Sequence, residues 1–327
     1  VIVRNSSGGV FEVNALLDGS FTVQVTGAAG EAITLSARDT NLFPLESTPV
    51  LVGNLPSAVY IDKTVWPGVD SAFRVGKLAA HANFLAMAEG SYQSDKFVIL
   101  DTTAPMAPVH LHTIPTGLEY VRDLEVVNQW ALLAGNYLAS VDLTAATPSV
   151  ATATNDLNEF TAALAVSGTH AFRATYSASD AIHVYDITNP AAPVHVLKHL
   201  LPLEGGQFKD LIALGTDYLV VLVEDASGGG HVLVLDRRNL SSIVTLADYP
   251  LGSFVPVSGA ISGSLLHLVG DQESDLVVLD LTSPAAPAPA GTFVLPESTP
   301  RAIRIFGSVV LVAGDQIGIT ALDNNLS

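Results

Sequence analysis

Basic residues occupy similar positions in several recurring apolar segments of this chain, and they are the first candidates for binding another molecule. Four of them stand near the start of such a segment: Arg74, Arg122, Lys209 and Arg301. Guanidinium and ammonium groups that converge on one point can bind an anion. The same groups can instead pair with adjacent acids, such as Asp123 and Asp210, and hold neighbouring segments together. The sequence leaves both interpretations open.

Carboxylates form a second candidate site in the segment Gly-Asp-Gln-Glu-Ser-Asp at 270–275. Its acids stand at three alternate positions: Asp271, Glu273 and Asp275. Loops rich in carboxylate oxygens can hold calcium, although this one lacks the complete EF-hand spacing. A solvated loop that favours solubility is the other interpretation. Apart from calcium at this position, the sequence predicts no cofactor.

Nine histidines raise the question of a metal centre. His110 and His112 are expected to share one face of a strand, as are His195 and His199. Both pairs fall on outer strands, where we expect solvated side chains. Three further histidines fall in strands and need not converge: His183, His231 and His267. The chain also lacks the G-x-S-x-G, H-E-x-x-H and P-loop motifs, so we predict no enzymatic activity.

An apolar strand that ends in aspartate recurs six times and organises these residues. The aspartates are Asp101, Asp142, Asp186, Asp236, Asp280 and Asp323, at intervals of 41, 44, 50, 44 and 43 residues. Most copies continue into a turn rich in Thr, Ser, Asn and Pro, where the aspartate can accept a hydrogen bond from the backbone two residues on. A period of this length is typical of repeat architectures.

Four short strands per repeat predict an all-β fold, a six-bladed β-propeller. The first strand of each blade lines the central channel and offers mainly Arg, Lys and small residues, which argues against a hydrolase that gathers acids there. The last repeat lacks a fourth strand. We predict that residues 48–57 supply it and close the ring, because closure leaves fewer exposed strand edges.

One face of the propeller is predicted to be acidic. The loops between second and third strands and the segments between blades lie on the same face. Their acids are Asp95, Asp156, Asp180, Glu204, Glu224, Asp225, Asp248, Asp271, Glu273, Asp275, Glu297 and Asp315.

The repeat resembles the LVIVD-repeat propellers of bacterial and archaeal surface proteins, which are named for an apolar strand that ends in aspartate. The resemblance covers about residues 48–327 and implies the fold more than any function. Residues 1–44 resemble the end of a bacterial immunoglobulin-like module, with an Asp18-Gly19 hairpin turn. We therefore divide the chain into this partial module and a propeller at 45–327. About 40 residues are too few for a whole sandwich of roughly 100, so either the preceding strands have been cut away or a neighbouring chain completes the module by donating a strand.

Composition narrows the partners and the location. The chain of 327 residues has a net charge of −18, which disfavours nucleic acid as a partner. No apolar run reaches the roughly 20 residues that a membrane span needs. Only 14% of the residues are charged, and cysteine is absent. These features favour a protein that is secreted or displayed at the cell surface.

Three functional hypotheses remain open from the sequence. The first is a structural or interaction protein whose propeller is a rigid platform, with a protein partner or with itself in an extracellular polymer. The second is a propeller that binds a glycan, calcium or a small anion on its acidic face or in its channel. The third is a hydrolase that acts on a carbohydrate or a lactone.

Overall fold

The structure is a computed structural model. It describes residues 2–5, 10–12, 32–36, 50–54, 75–89, 95–104, 108–176, 180–201, 206–270, 275–295, 299–307, 309–314 and 318–323. Within these ranges the chain is almost entirely β-strand, with one short 3-10 helix, Leu240–Ser242. No helix in the described part of the chain has the length and apolar character that crossing a membrane requires. The chain divides into two compact units, Val1–Pro67 with Thr102–Val109, and Gly68–Asp101 with His110–Ser327.

The first unit contains an antiparallel sheet in the order β2-β1-β3-β4. Its strands are β1 (Ile2–Asn5), β2 (Val10–Glu12), β3 (Ala32–Ser36) and β4 (Val50–Asn54). Most of the region 1–44 that resembles an immunoglobulin-like module, including the Asp18-Gly19 turn, lies outside the described residues.

The pairing of β4 differs from the predicted closure of the ring. Residues 48–57 were expected to join the last blade, but Val50–Asn54 pairs with Ala32–Ser36 instead. Pairing with a strand nearby in sequence closes a much shorter loop than pairing with one near the end of the chain, and so costs less entropy. The last propeller sheet has three strands within the described residues.

The second unit is built from six sheets, each the blade of a propeller. The first three blades contain β5 (Val75–His81), β6 (Phe84–Glu89), β7 (Lys96–Asp101), β8 (Val109–Pro115), β9 (Asp123–Val127), β10 (Trp130–Ala134), β11 (Leu138–Asp142), β12 (Val150–Thr152), β13 (Phe160–Ser167), β14 (His170–Tyr176), β15 (Ala181–Asp186) and β16 (Val194–Leu200). Each blade is an antiparallel meander whose strands follow one another in sequence.

Blades 4 to 6 repeat this arrangement. They contain β17 (Gln207–Leu214), β18 (Tyr218–Glu224), β19 (Gly230–Asp236), β20 (Val244–Gly252), β21 (Pro256–Ser262), β22 (Leu265–Gly270), β23 (Asp275–Asp280), β24 (Ala288–Val294), β25 (Pro300–Phe306), β26 (Val309–Gly314) and β27 (Gly318–Asp323). The first strands of successive blades pack against one another, from β5 to β9 and onward to β25. These first strands therefore form the inner ring, as predicted. The all-β, six-bladed propeller is confirmed.

The aspartate of the repeat ends the third strand of every blade, and in four blades its side chain caps the turn that follows. Asp142 accepts a hydrogen bond from the backbone N–H of Thr144, and Asp280 accepts one from Thr282, at 2.9 and 2.7 Å. Asp186 and Asp236 make the same contact. The side chain thus replaces a backbone partner that the ladder no longer supplies, which explains why the strand stops there.

Apolar clusters fill the spaces between blades. Between blades 3 and 4, Phe172 packs with Phe208, Leu219 and Leu235, and all four side chains are buried. Equivalent clusters lie between the other successive blades. Because each blade must cover the face of the next, its second and third strands are buried on both sides. They therefore carry nearly continuous apolar runs, such as Leu219–Val223.

Candidate functional site

A cavity of about 360 Å³ lies in the central channel, enclosed by the first strands of the blades. Small side chains cover much of its wall, including Ala163, Ala213 and Ala302. Seven charged residues from four blades also line it: Lys77, Asp123, Glu125, Lys209, Asp210, Arg301 and Arg304. A cavity of this size falls within the range of small-molecule sites, about 300–1,000 Å³.

Two aspartates of the channel wall join successive blades. Asp123 in blade 2 accepts a hydrogen bond from the backbone N–H of Leu164 in blade 3, at 2.7 Å. Asp210 in blade 4 accepts the equivalent bond from Gly259 in blade 5, at 3.0 Å. Each aspartate also accepts a bond from the N–H of its own following residue. Their carboxylates therefore replace water around the inner strands and fix the spacing of the blades.

The four predicted channel cations lie in different surroundings. Lys209 and Arg301 line the cavity, and Lys209 forms an ion pair with Glu224. Arg122 stacks on aromatic rings instead, with its guanidinium carbon 4.5 Å from the centre of Tyr120. Arg74 lies outside the described residues. The channel thus brings two of the four together, and the partners of Lys209 and Arg122 are not the adjacent acids.

The sequence analysis missed Glu125 and Lys77, which complete the charged wall. Lys77 lies 3.5 Å from Asp123 and is the cation that pairs with it. The spacing of Asp123 and Glu125 could have revealed Glu125, because residues two apart on a strand share a face and Glu125 therefore faces the channel with Asp123. The channel was predicted to offer mainly Arg, Lys and small residues; four such cations and several small residues do line it, but so do three carboxylates that were not predicted there.

Two carboxyl groups in the channel, those of Glu125 and Asp210, hold their protons unusually strongly. Burial, and then the charge of Asp123, raise the pKa of Glu125 to about 7. Burial and the charge of Asp123 also raise the pKa of Asp210 to about 6. Nearby cations act in the opposite direction: Arg304 and Lys77 favour the charged form of Glu125. The channel therefore holds several carboxyl groups that repel one another, together with cations that are near enough to attract them.

The predicted acidic face is described only in part. Asp271 and Glu273 lie outside the described residues, and Asp275 begins β23. No group of three or more His, Asp or Glu side chains is arranged to hold a metal ion within the described ranges. The calcium interpretation of the 270–275 loop therefore stays a prediction.

Some acids of this face pair with nearby basic groups. The ring of His231 lies between Asp248 and Asp225, at 2.7 and 3.2 Å. The hydrogen bond to Asp248, followed by the one to Asp225, raises the pKa of His231. Glu224 pairs with Lys209.

A buried ionic network joins blades 2 and 3, and it forms a second cluster of polar groups. The side chain of Arg173 is fully buried and forms a 2.9 Å ion pair with Asp156, whose side chain is 1% exposed. The hydroxyl of Tyr185 donates to the same carboxylate at 2.6 Å. The backbone N–H groups of Leu138 and Leu157 each donate to Asp156 at 2.7 Å. Asp156 was predicted on the acidic face, but it turns inward to neutralise Arg173.

A chain of polar side chains continues from this pair. Glu159 bonds His183 at 2.9 Å, and His183 bonds His195 at 3.0 Å. Lys198 donates to the other oxygen of Glu159 at 2.6 Å. Burial opposes the charge of Glu159, but hydrogen bonds from Lys198, His183 and Thr175 outweigh it and lower the pKa to about 2. Burial and then the charge of Arg173 lower the pKa of His183 to about 4, so this imidazole is neutral near pH 7.

The prediction that His195 and His199 share a face was wrong because of a β-bulge in β16. The register shifts between the Val184 and Tyr185 partners, so His195 faces Tyr185 and His199 faces Ile182. An extra residue in one strand turns the following side chains to the opposite face. His195 and His199 therefore do not share a face, and His195 reaches His183 in the neighbouring strand.

Blade 3 departs from the repeat at the residues of this network. The position of Arg173 in β14 is occupied by an apolar residue in each of the other five blades: Met87, Leu133, Val221, Leu268 and Val312. The position of Tyr185, just before the aspartate, is Leu or Val in the others. At these two positions, polar groups thus replace core residues in blade 3 only.

Comparison with known proteins agrees with the fold. No protein-family model matches the sequence, and no curated protein matches it either. The Cps50 (Swd1) β-propeller domain of Myceliophteria thermophila is similar in structure, with a TM-score of 0.58, 12% identity, and coverage of 90% of this chain and 92% of that domain. A functionally unknown protein from Desulfotomaculum acetoxidans DSM 771 has a TM-score of 0.60, 12% identity and coverage of 74% and 75%.

A computationally designed protein, Ika8, is also similar, with a TM-score of 0.56, 12% identity and coverage of 78% of this chain and 72% of that chain. At such low identity these likenesses establish the fold alone. The chain is a six-bladed β-propeller.

Proposed function

We propose that this protein is a non-enzymatic structural or interaction protein, secreted or held at the cell surface, whose propeller is a rigid platform. The observation that carries the proposal is the use of the polar side chains. Asp123 and Asp210 join successive blades, and Asp156, Arg173 and Tyr185 satisfy one another inside the protein. Polar groups that are satisfied inside the protein in this way hold the blades in a rigid ring, and a rigid ring is suited to presenting a surface to partners.

The surface and the repeat support the same role. Several large apolar side chains on the outer strands are exposed, including Val196 at 51%, Leu200 at 57% and Val294 at 79%. Exposed apolar groups on sheet edges favour contact with another protein. The resemblance to LVIVD-repeat surface proteins, the low density of charge and the absence of cysteine favour a location outside the cell.

Self-assembly through strand donation is part of this proposal. The sheet of the first unit ends in two edge strands, β2 and β4, and an edge strand can pair with a strand from a neighbouring chain. A protein assembled in this way would be the subunit of an extracellular polymer.

The experiment is light scattering and negative-stain electron microscopy of the full chain, compared with two variants that carry the same substitution. Val10→Lys places a charge on edge strand β2, and Val294→Lys places one on the exposed outer strand β24 of the propeller. A charge on an edge strand opposes pairing between chains. We expect assemblies that Val10→Lys abolishes and Val294→Lys leaves intact. Monomers at every concentration, or loss of assembly only in Val294→Lys, would refute assembly through the first unit.

A ligand-binding propeller is the second candidate, with a glycan, calcium or a small anion as ligand. The specific observation in its favour is the channel cavity, which Lys209 and Arg301 line. A hydrolase receives less support, because Asp123 and Asp210 are engaged with backbone groups.

A further inference from the structure

The charged groups of the channel differ in how far the protein itself satisfies them. Asp123 and Asp210 each accept two backbone hydrogen bonds. Lys209 is paired with Glu224, and Lys77 lies beside Asp123. These four charges therefore already have partners inside the protein.

Glu125 is the exception among the acids. It lines the cavity from the first strand of blade 2. Its carboxylate makes no hydrogen bond or ion pair with any described residue. It is also half-buried, so water solvates its charge only in part. A carboxylate in this position gains most from a ligand that brings a positive charge with hydrogen-bond donors.

Arg304 offers the complementary group from the first strand of blade 6. One terminal nitrogen donates to the backbone carbonyl of Ile303, at 2.9 Å. The guanidinium has five N–H donors, so it retains donors for a carboxylate. Glu125 and Arg304 line the same cavity and interact electrostatically across it.

The wall between these groups leaves space for an organic molecule. Small side chains such as Ala163 and Ala302 leave about 360 Å³ of open volume in the cavity that Glu125 and Arg304 line. A metal ion fits less well, because no three ligating side chains of the described chain are arranged around one point. A single-sign ligand would leave either Glu125 or Arg304 unsatisfied.

We propose that the central channel binds a small zwitterion, with its protonated amine at Glu125 and its carboxylate at Arg304. This site is distinct from the platform role and from a glycan, calcium or simple anion site. The platform proposal can fail without affecting it, and the reverse also holds.

The test is isothermal titration calorimetry of the full chain at about pH 8, where Glu125 with a pKa of about 7 is mostly ionised. The probes form a spacer series of glycine, γ-aminobutyrate and 6-aminohexanoate. Butylamine and butyrate each present one half of the middle probe. We expect one zwitterion to bind with a Kd below about 1 mM, and more tightly than either half.

Two variants separate the ends of the site. Glu125→Gln should weaken the zwitterion and butylamine by at least about tenfold and leave butyrate unchanged. Arg304→Gln should weaken the zwitterion and butyrate and leave butylamine unchanged. Arg238→Gln, on an exposed ion pair with Asp236, is the matched control and should bind like the original protein. Thermal unfolding of each variant checks that the ring is intact.

Three results would overturn the proposal. One is the absence of saturable binding by every probe. Another is binding of the zwitterion that Glu125→Gln leaves unchanged. The third is binding of butyrate or butylamine as tight as that of the best zwitterion, which would identify a site for one charge only.

Discussion

Neutralising Asp156 should destabilise the protein more than any substitution on its surface. In Asp156→Asn, the buried guanidinium of Arg173 loses its counter-ion, and the four donors that meet this carboxylate share one weaker acceptor. Leaving one charge of a buried pair uncompensated typically costs about 3–5 kcal/mol. The side chains of Asp156 and Arg173 are 1% and 0% exposed, so water offers little compensation. We expect a loss of about 3–5 kcal/mol in the free energy of unfolding.

A double-mutant cycle tests the cause of that loss. Arg173→Leu restores the residue type found at the equivalent position, Leu133 or Leu268, in other blades. Combined with Asp156→Asn, it should recover much of the stability, because the double variant no longer buries the guanidinium charge that Asp156→Asn leaves unpaired. Close pairs of this kind show coupling energies of about 0.5–3 kcal/mol. Exposed Arg238→Gln should leave stability nearly unchanged and is the control.

The assay is equilibrium unfolding in urea, followed by circular dichroism and by tryptophan fluorescence. Trp130 begins the second strand of blade 2, the blade that Asp156 joins to blade 3. A cost below about 1 kcal/mol for Asp156→Asn, within the range of exposed ion pairs, would refute the buried network as a major source of stability. A double variant less stable than Asp156→Asn alone would refute the pairwise explanation.

Three further perturbations test other contacts. The pKa of His183 is depressed to about 4, so its contribution to stability should fall between about pH 6.5 and 4, and that of Glu159, depressed to about 2, should fall below about pH 4.5. The raised pKa values of Glu125 and Asp210 act in the opposite direction above about pH 4, so urea titrations at successive pH values compare the protein with His183→Gln and with Glu159→Gln; a stability difference that does not change with pH would contradict this. Asp248→Asn should lower the raised pKa of His231 and move its NMR titration to lower pH, because Asp248 is the largest cause of the shift; an unchanged titration would rule out the contact. Gly230→Ala should cost about 1–3 kcal/mol or more in urea unfolding, because its Cβ would lie 1.9 Å from a backbone carbonyl oxygen; a neutral result would mean that this backbone shifts freely.

The repeating part of the fold was predictable because its signals are local. Asp142 and Asp280 cap a turn two residues away, so the aspartates and the apolar strands before them can be read directly from the sequence. The pairing of Val50–Asn54 was not predictable in this way. Any edge strand can accept another, and the choice depends on loop lengths and on the rest of the fold.

The buried network was only partly visible in the sequence. Tyr185 stands one residue before the repeat aspartate, where the other copies have Leu or Val, so it can be recognised as an exception. Arg173 lies in the preceding strand, and the hairpin between the two strands varies in length from blade to blade. Alignment on the aspartate therefore does not reveal that Arg173 replaces a core residue. The contact of His183 with His195 depends on a bulge, which leaves no simple periodic signal.

The location of the channel and two of its cations were predicted from the sequence, but the pKa values of its carboxyl groups were not. Lys209 and Arg301 line it as expected. The shifted pKa of Glu125 depends on burial, on the charge of Asp123 in its own strand and on charges from other blades. The burial and the charges from other blades arise only when the blades pack together.

The network in blade 3 also bears on how the ring is assembled in the correct order. Chains made of similar repeats can misassemble by docking one repeat in the place of another. Arg173 would then be buried against an apolar neighbour without Asp156, which lies in the segment that leads from blade 2 into blade 3. Such a misplaced blade would carry an unpaired charge, and the penalty would discourage the error. The polar network of blade 3 thus favours one position for that blade in a ring of otherwise similar blades, and so helps to fix the order of the others.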